Sequence, residues 1–276
     1  MLDIVIPILI FSAMGLVFAL LLAVASRIFA VKRDGRIDEM AEVLPGANCG
    51  GCGYTGCTAY AEAVAKGDAK IGKCTVGGTE VARAMGRIMG VEAGEVVKMR
   101  AQVMCSGTSE YAKKKYIYAG APDCASAASL GGGDKLCPSG CIGLGSCASI
   151  CPTHAIHVVE GVAVVDYDLC IGCGTCVTEC PKHIIRLIPF DSAHWVGCSS
   201  PDKGADVRKY CDVGCIGCKL CERACAYGAI TVGGALATID YAKCTGCDAC
   251  VAKCPRKIIW SATSQDGGLV IVRIKE

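Results

Sequence analysis

Nineteen cysteines beyond residue 120 form two series that superimpose when one is shifted by 74 positions, and nothing else in the 276-residue chain limits its folding choices so tightly. The first series is Cys124, Cys137, Cys141, Cys147, Cys151, Cys170, Cys173, Cys176 and Cys180. The second is Cys198, Cys211, Cys215, Cys218, Cys221, Cys225, Cys244, Cys247, Cys250 and Cys254. Only Cys218 lacks a counterpart, because Leu144 stands at the matching position. Such a register marks a duplicated structural unit. With five earlier cysteines the chain carries 24 thiols, whereas Phe, Trp and Tyr together number 15. Many Cys and Gly with few aromatics predict several small units, each pinned by something other than bulk packing.

Each unit contains two short blocks. CIGCGTCVTECP (170–181) and CTGCDACVAKCP (244–255) both read C-x2-C-x2-C-x3-C-P. CIGCKLCERAC (215–225) keeps the spacing with Ala226 in place of proline, and CIGLGSCASICP (141–152) keeps proline but loses its second cysteine to Leu144. Three thiolates within seven residues let one loop wrap an iron–sulfur cubane, while the fourth cysteine opens a helix and serves a neighbouring cluster. Proline suits the start of that helix. Between blocks, residues 155–159 and 162–165 flank Glu160-Gly161, and residues 229–232 and 236–239 flank Gly233-Gly234. These patterns predict short hairpins.

The spacing therefore assigns ligands. Cys215, Cys218 and Cys221 with Cys254 make one set, and Cys244, Cys247 and Cys250 with Cys225 make another. In the first unit, Cys170, Cys173 and Cys176 with Cys151 are complete, whereas Cys141, Cys147 and Cys180 lack a fourth ligand. Cys137, four residues before Cys141, is the nearest spare thiol and is expected to replace it; a three-iron cluster with one open corner is the competing arrangement. Cys105, Cys124, Cys198 and Cys211 are then left over. They number what one further cubane needs, but their spacings match no block, so buried structural thiols are the favoured reading.

A different site lies earlier. Cys49, Cys52, Cys57 and Cys74 read C-x2-C-x4-C-x16-C, with Gly50, Gly51, Gly53 and Gly56 allowing the backbone to close around a bulky core. An Ala-rich stretch over 58–70 is predicted helical and returns Cys74 to the same place. Four cysteines also suit zinc, although zinc sites more often present two separated C-x2-C pairs. A cubane is the expected occupant. Further on, 79–90 has the apolar spacing of a core helix ending at glycine, and the alternation of Val97, Met99, Ala101 and Val103 predicts a strand leading to Cys105.

Before all the cysteines, Ile4 to Ser26 runs without a charge. As a helix it would span about 35 Å, enough to cross a hydrocarbon core of about 30 Å. A signal peptide would need a basic start, but the chain opens Met1-Leu2-Asp3, and Arg27, Lys32, Arg33 and Arg36 follow the apolar run. That bias predicts an anchor with the cysteines on the cytoplasmic side. There, stable disulfides are uncommon and metal or cluster ligation is the default. A near balance of 28 Lys+Arg against 26 Asp+Glu gives no case for nucleic-acid binding, and no G-x-G-x-x-G follows a predicted strand, so no nicotinamide site is expected.

The anchor, the C-x2-C-x4-C-x16-C site and the downstream blocks together resemble the B subunit of the Rnf complex, the ion-translocating ferredoxin:NAD+ oxidoreductase. The resemblance covers the whole chain; shorter members of that family carry one ferredoxin repeat where this chain has two. It implies an electron-transfer subunit that takes electrons from soluble reduced ferredoxin and relays them through 4Fe-4S clusters to partner subunits, with NAD+ reduction and sodium or proton movement elsewhere in the complex. The expected fold is α+β: a membrane anchor over 1–30, an N-terminal 4Fe-4S domain over 31–104, and two bacterial-type two-cluster ferredoxin modules over 105–190 and 191–276. The expected cofactors are five 4Fe-4S clusters, with a sixth as the alternative. Two other readings remain at this level: a wiring subunit of a hydrogenase or molybdopterin enzyme, and a zinc-held scaffold or redox sensor. His154, His157, His183 and His194 lie near the blocks and are expected to be solvated or hydrogen-bonded; Lys113-Lys114-Lys115 is expected to be a solvated patch.

Overall fold

The computed structural model describes residues 2–28 and 34–261. Lys32 and Arg33, which contribute to the expected charge bias, and residues 262–276 of the expected second module lie outside the described residues. Helix α1, Leu2–Ile28, has Arg27 in its last turn. The window Leu9–Arg27 is long and apolar enough to cross a membrane, and none of it is buried against the described residues. Phe11, Leu16 and Leu22 remain exposed.

A small helical unit follows. Asp34 caps α2, Gly35–Val43, by accepting the Arg36 N–H at 3.1 Å. Helix α3, Cys57–Lys66, stops at Gly67 and α4, Gly78–Met89, stops at Gly90; both glycines take the left-handed conformation that ends a helix without Cβ strain. The three helices close over Met40, Leu44, Tyr60, Ala61, Val64 and Met85. The Tyr60 hydroxyl donates to the Lys70 carbonyl and accepts the Lys73 N–H, which pins the segment returning to Cys74.

The remainder is built twice from the same parts. The first copy contains β1 (Met99–Val103), α5 (Cys124–Ser129), α6 (Ser146–Ser149), the hairpin β2 (Ile156–Val159) and β3 (Val162–Val165), α7 (Thr175–Glu179) and β4 (Ile185–Pro189). The second contains β5 (His194–Val196), α8 (Gly204–Tyr210), α9 (Leu220–Ala224), the hairpin β6 (Ile230–Gly233) and β7 (Leu236–Ile239), α10 (Ala249–Lys253) and β8 (Ile259–Ser261). All four strand pairs are antiparallel: β1 lies on β4 with Val103 opposite Ile185, and β5 lies on β8 with Val196 opposite Ile259. Each copy thus has one hairpin between its blocks, and an outer pair made by a leading strand and the strand after the last block.

Each half has its own core, and cysteines are part of both. Val103, Ile156, Val162, Val165, Ile184 and Ile185 pack with Cys141, Cys147 and Cys176. Val196, Val207, Ile230, Ile258 and Ile259 pack with Cys215 and Cys221. Strand β1 departs from its alternating pattern, because Arg100 and Gln102 are buried as well as Ala101 and Val103. Arg100 donates to the carbonyls of Phe190 and Ser192 and to Gln102 Oε1, with its guanidinium 3.7 Å from the Tyr167 ring centre. The side that alternation assigns to solvent is covered by Tyr167 and Trp195.

Candidate iron–sulfur centres

Each block loop bends at the glycine two residues after its first cysteine. Gly143, Gly172, Gly217 and Gly246 all have positive φ, between 63° and 80°. At three of them another segment, a hairpin turn or the start of β1, passes so close that a Cβ would meet backbone: Gly161 O at 2.3 Å, Met99 O at 2.1 Å and Ala235 Cα at 2.8 Å, for Gly143, Gly172 and Gly217 respectively. The short helix that follows each bend turns the later cysteines of the block back toward the same space.

That space is a cavity walled by thiols. Cys215, Cys218, Cys221 and Cys254 line one with an empty volume of about 340 Å³. Cys225, Cys244, Cys247 and Cys250 line another of about 330 Å³. Both sets are those that the spacing assigns. In the first half, the Cys176 thiol has Cys173, Cys170 and Cys151 as its charged neighbours; burial, and then these groups, push it up to about 12. Likewise Cys74 is raised by burial and by Cys52, Cys57 and Cys49, which gathers the earlier motif into one place.

The incomplete block has a different neighbouring thiol from the expected Cys137. Cys141, Cys147 and Cys180 share a cavity of about 400 Å³ with Cys124, not with Cys137. The Cys124 N–H donates to Ser146 Oγ at 2.8 Å, fixing the start of α5 beside Cys147. Burial and the neighbouring Cys124 thiol are the leading causes that push Cys147 up to about 12. Cys137 instead faces a separate cavity with Cys105, Cys198 and Cys211. The turn from Cys137 to Gly140, closed by the Gly140 N–H on the Cys137 carbonyl, aims it away from the first-half pair.

Backbone N–H groups point at the sulfurs throughout. Ala155 donates to Cys151 Sγ and Ala229 to Cys225 Sγ, both at 3.3 Å. Ala163 donates to Cys141 Sγ, Ala101 to Cys170 Sγ and Gly77 to Cys74 Sγ, each at 3.4 Å. Cys225 shows the consequence: burial opposes its thiolate, yet the N–H groups of Ala229, Tyr227, Ile230 and Gly228 bring it below the ordinary thiol value. Donors aimed at sulfur fit a site built for thiolates, and they set cluster potential when a cluster is bound.

The geometry suits a multi-atom core better than one ion. Zinc with bonds of about 2.3 Å would draw four sulfurs to within about 4 Å of one another. Among the described residues no group of three or more His, Cys, Asp or Glu side chains is arranged to hold a single metal ion. The thiols stand around cavities of several hundred Å³ instead. Of the histidines, His194 lines the Cys225 cavity, and its Nε2 is 2.6 Å from Asp248 Oδ1. Lys113, Lys114 and Lys115 are all exposed, as expected of a solvated patch; Lys114 also pairs with Asp134 at 2.8 Å, and Lys115 donates to the Gly131 carbonyl.

The N-terminal motif abuts the first half. A Cβ on Gly51 would lie 2.3 Å from the Cys173 carbonyl oxygen. Thr75 Oγ1 donates to the Gly172 carbonyl and Thr175 Oγ1 to the Cys49 carbonyl. The loop carrying Cys49 and Cys52 is therefore seated directly on the loop carrying Cys170 and Cys173.

Three family models match the chain: a putative Fe-S cluster domain at 44–76, a 4Fe-4S binding domain at 163–186 and a 4Fe-4S dicluster domain at 214–258. Over 249 residues the chain is 45% identical to the B subunit of the ion-translocating oxidoreductase complex of Methanosarcina acetivorans, covering 90% of this chain and 94% of that one. The chain belongs to this family of Rnf B subunits. Other members are the B subunit of the Na+-translocating ferredoxin:NAD+ oxidoreductase complex of Acetobacterium woodii, at 44% identity over 93% of this chain and 77% of that one, and its proton-translocating counterpart in Clostridium ljungdahlii, at 38% over 92% and 90%. Eight cysteines lie outside all three matched ranges: Cys141, Cys147 and Cys151 of the block that lacks its second cysteine, and Cys105, Cys124, Cys137, Cys198 and Cys211.

Proposed function

We propose that this subunit relays electrons from reduced ferredoxin to partner subunits of a membrane-bound, ion-translocating ferredoxin:NAD+ oxidoreductase. The observation that carries the reading is the set of thiol-walled cavities of similar size, each walled by four cysteines, with backbone N–H groups donated to Cys141 Sγ in one and to Cys225 Sγ in another. Five 4Fe-4S clusters are assigned. Cys49, Cys52, Cys57 and Cys74 hold the first, and Cys151, Cys170, Cys173 and Cys176 the second. Cys124, Cys141, Cys147 and Cys180 hold the third, with Cys124 supplying the ligand that Leu144 cannot. Cys215, Cys218, Cys221 and Cys254 hold the fourth, and Cys225, Cys244, Cys247 and Cys250 the fifth. Each half is on this reading a two-cluster ferredoxin-like module.

Bound clusters supply one-electron transfer, and no bond chemistry on a substrate is required of this chain. The residues do the rest. Thiolates fix each core, N–H donors stabilise its charge, and the buried aliphatic side chains around Cys141, Cys176 and Cys221 exclude water. Helix α1 anchors the protein in the membrane, with the cysteine-rich portion on the cytoplasmic side where ferredoxin is available. NAD+ reduction and ion movement are left to other subunits; α1 carries no charged residue between Ile4 and Ser26 that would mark an ion path.

The test uses the whole complex in its membrane. Cys57→Ser is expected to abolish ferredoxin-driven NAD+ reduction while about four irons are lost and the rest remain. Retained NAD+ reduction after that loss would take the N-terminal centre off the route.

A further inference from the structure

Four thiols that the block spacing leaves without a block of their own come together at the seam between the two halves. Cys105 follows β1 of the first half and Cys198 follows β5 of the second, while Cys137 and Cys211 each lie four residues before the first block cysteine of their half. All four line one cavity with an empty volume of about 370 Å³, the same size as its neighbours. We propose that Cys105, Cys137, Cys198 and Cys211 hold a sixth 4Fe-4S cluster, which joins the two halves. The proposal goes beyond the five-cluster reading and rests on it.

The arrangement has a local two-fold character. The Cys141 N–H donates to Cys105 Sγ and the Cys215 N–H donates to Cys198 Sγ, both at 3.4 Å. Cys141 and Cys215 open the equivalent blocks of the two halves. Upstream, Met104 N–H donates to the Ile184 carbonyl and Gly197 N–H to the Ile258 carbonyl, again equivalent partners. Each half thus contributes one strand-end thiol, one thiol before its block, and one N–H aimed at sulfur. Structural filler thiols would have no reason to meet in matched pairs around a void.

The surroundings fit a negative core. Gly107, Gly140 and Gly214 line the cavity, and a Cβ on Gly107 would project to 3.6 Å from Cys211 Sγ and 3.7 Å from Cys105 Sγ. Lys135 is buried, and its Nζ donates to the carbonyls of Gly107 and Gly161 rather than to a carboxylate. Arg256 donates to the carbonyls of Cys211 and Gly214, and Lys182 to the carbonyl of Pro138 beside Cys137. A buried ammonium is costly unless negative charge lies near it, and thiolates around a cluster supply that charge.

Iron and acid-labile sulfide are measured on the full chain in detergent, purified without oxygen and reconstituted with excess iron and sulfide. About 24 irons per chain are expected, and about 20 for Cys105→Ala and for Cys198→Ala, with one EPR component of the reduced clusters missing. Gly107→Val keeps all 24 thiols while its side chain enters the cavity, so it too is expected to lose about four irons. A wild-type count of about 20, unchanged in these variants, overturns the sixth site and leaves the other five standing. Iron near zero with zinc in its place overturns both. The wild-type count decides the matter even where a variant does not fold.

Discussion

Replacing Gly51 with alanine isolates the contact through which the N-terminal centre meets the first half. The added Cβ would lie 2.3 Å from the Cys173 carbonyl oxygen and 3.0 Å from its carbonyl carbon, where relaxed contact is about 3.5 Å. Gly51 does not have positive φ, so the perturbation is steric alone. The two loops must part by roughly 1 Å, an overlap of a kind that costs about 1–3 kcal/mol. Two cross-loop hydrogen bonds, Thr75 to Gly172 at 3.3 Å and Thr175 to Cys49 at 3.5 Å, are already long and would break, at about 0.5–1.5 kcal/mol each. Docking should weaken by about 2–6 kcal/mol, which is roughly 30- to 20,000-fold in the docked population. All four thiolates of the N-terminal motif stay in place, so iron per chain should match wild type. What should fail is electron passage between this centre and that of Cys170 and Cys173, followed by rapid-freeze EPR after mixing with a reductant. Gly94→Ala, whose Cβ meets nothing within 4 Å, is the control. Wild-type transfer rates with full iron in Gly51→Ala would refute this contact as the route.

Four further outcomes can be checked. Cys124→Ala and Cys137→Ala should each lose about four irons and the double variant about eight; a double variant losing only four would return both thiols to one cluster. Arg100→Gln should lower the potential of the centre held by Cys170, because a buried cation beside Tyr167 is removed; an EPR redox titration in which only that component shifts is the expected result, and an unmoved potential contradicts it. Anaerobic chelation should unfold both halves. Block cysteines are part of both cores, so removing what they hold leaves each core without its central support; intact far-UV circular dichroism after iron removal would oppose this. Gly197→Ala should loosen the seam by about 1–3 kcal/mol, since its Cβ would fall 2.1 Å from Ser106 Oγ and 2.6 Å from Trp260 Nε1; thermal loss of cluster absorbance at the wild-type temperature would count against it.

The grouping of the block cysteines was legible because it is local: three thiols and a bent glycine loop lie within seven residues. The hairpins between blocks, the helix ending at Gly90 and the strand before Cys105 were legible from periodicity for the same reason. The fate of Cys124 and Cys137 was not, because it depends on where α5 docks. The shift of 74 pairs Cys124 with Cys198, yet in the fold the partner of Cys198 is Cys105, at an offset of 93. Nineteen extra residues therefore lie between strand and block in the first half, and α5 sits within them. The signal was present in the likeness of Val103-Met104-Cys105-Ser106 to Val196-Gly197-Cys198-Ser199, but only strand pairing shows that this likeness outranks the cysteine register. Burial of Arg100 was equally invisible, since alternation in β1 cannot reveal that both faces are covered.

That insertion explains how a duplicated chain can connect its two copies. In the second half all four cysteines of the first block are present, so Cys198 and Cys211 are free to face the seam. In the first half Leu144 leaves its block one ligand short, and a simple copy would have to recruit Cys137 and leave the seam with three thiols. The extra segment brings Cys124 to the deficient block, anchored through Ser146, and releases Cys137 to the seam. Cys141 and Cys215 then each serve one centre through sulfur while donating an N–H to a thiol of the shared one. With a core seated there, both halves touch a common set of ligands through one residue each. Without it they meet through hydrogen bonds such as Ser106 to Gly197 and Trp260 to Ser106, and through Trp195 and Trp260 packed against Met104, Tyr167 and Ile188, contacts that hold the halves together but contain no redox centre.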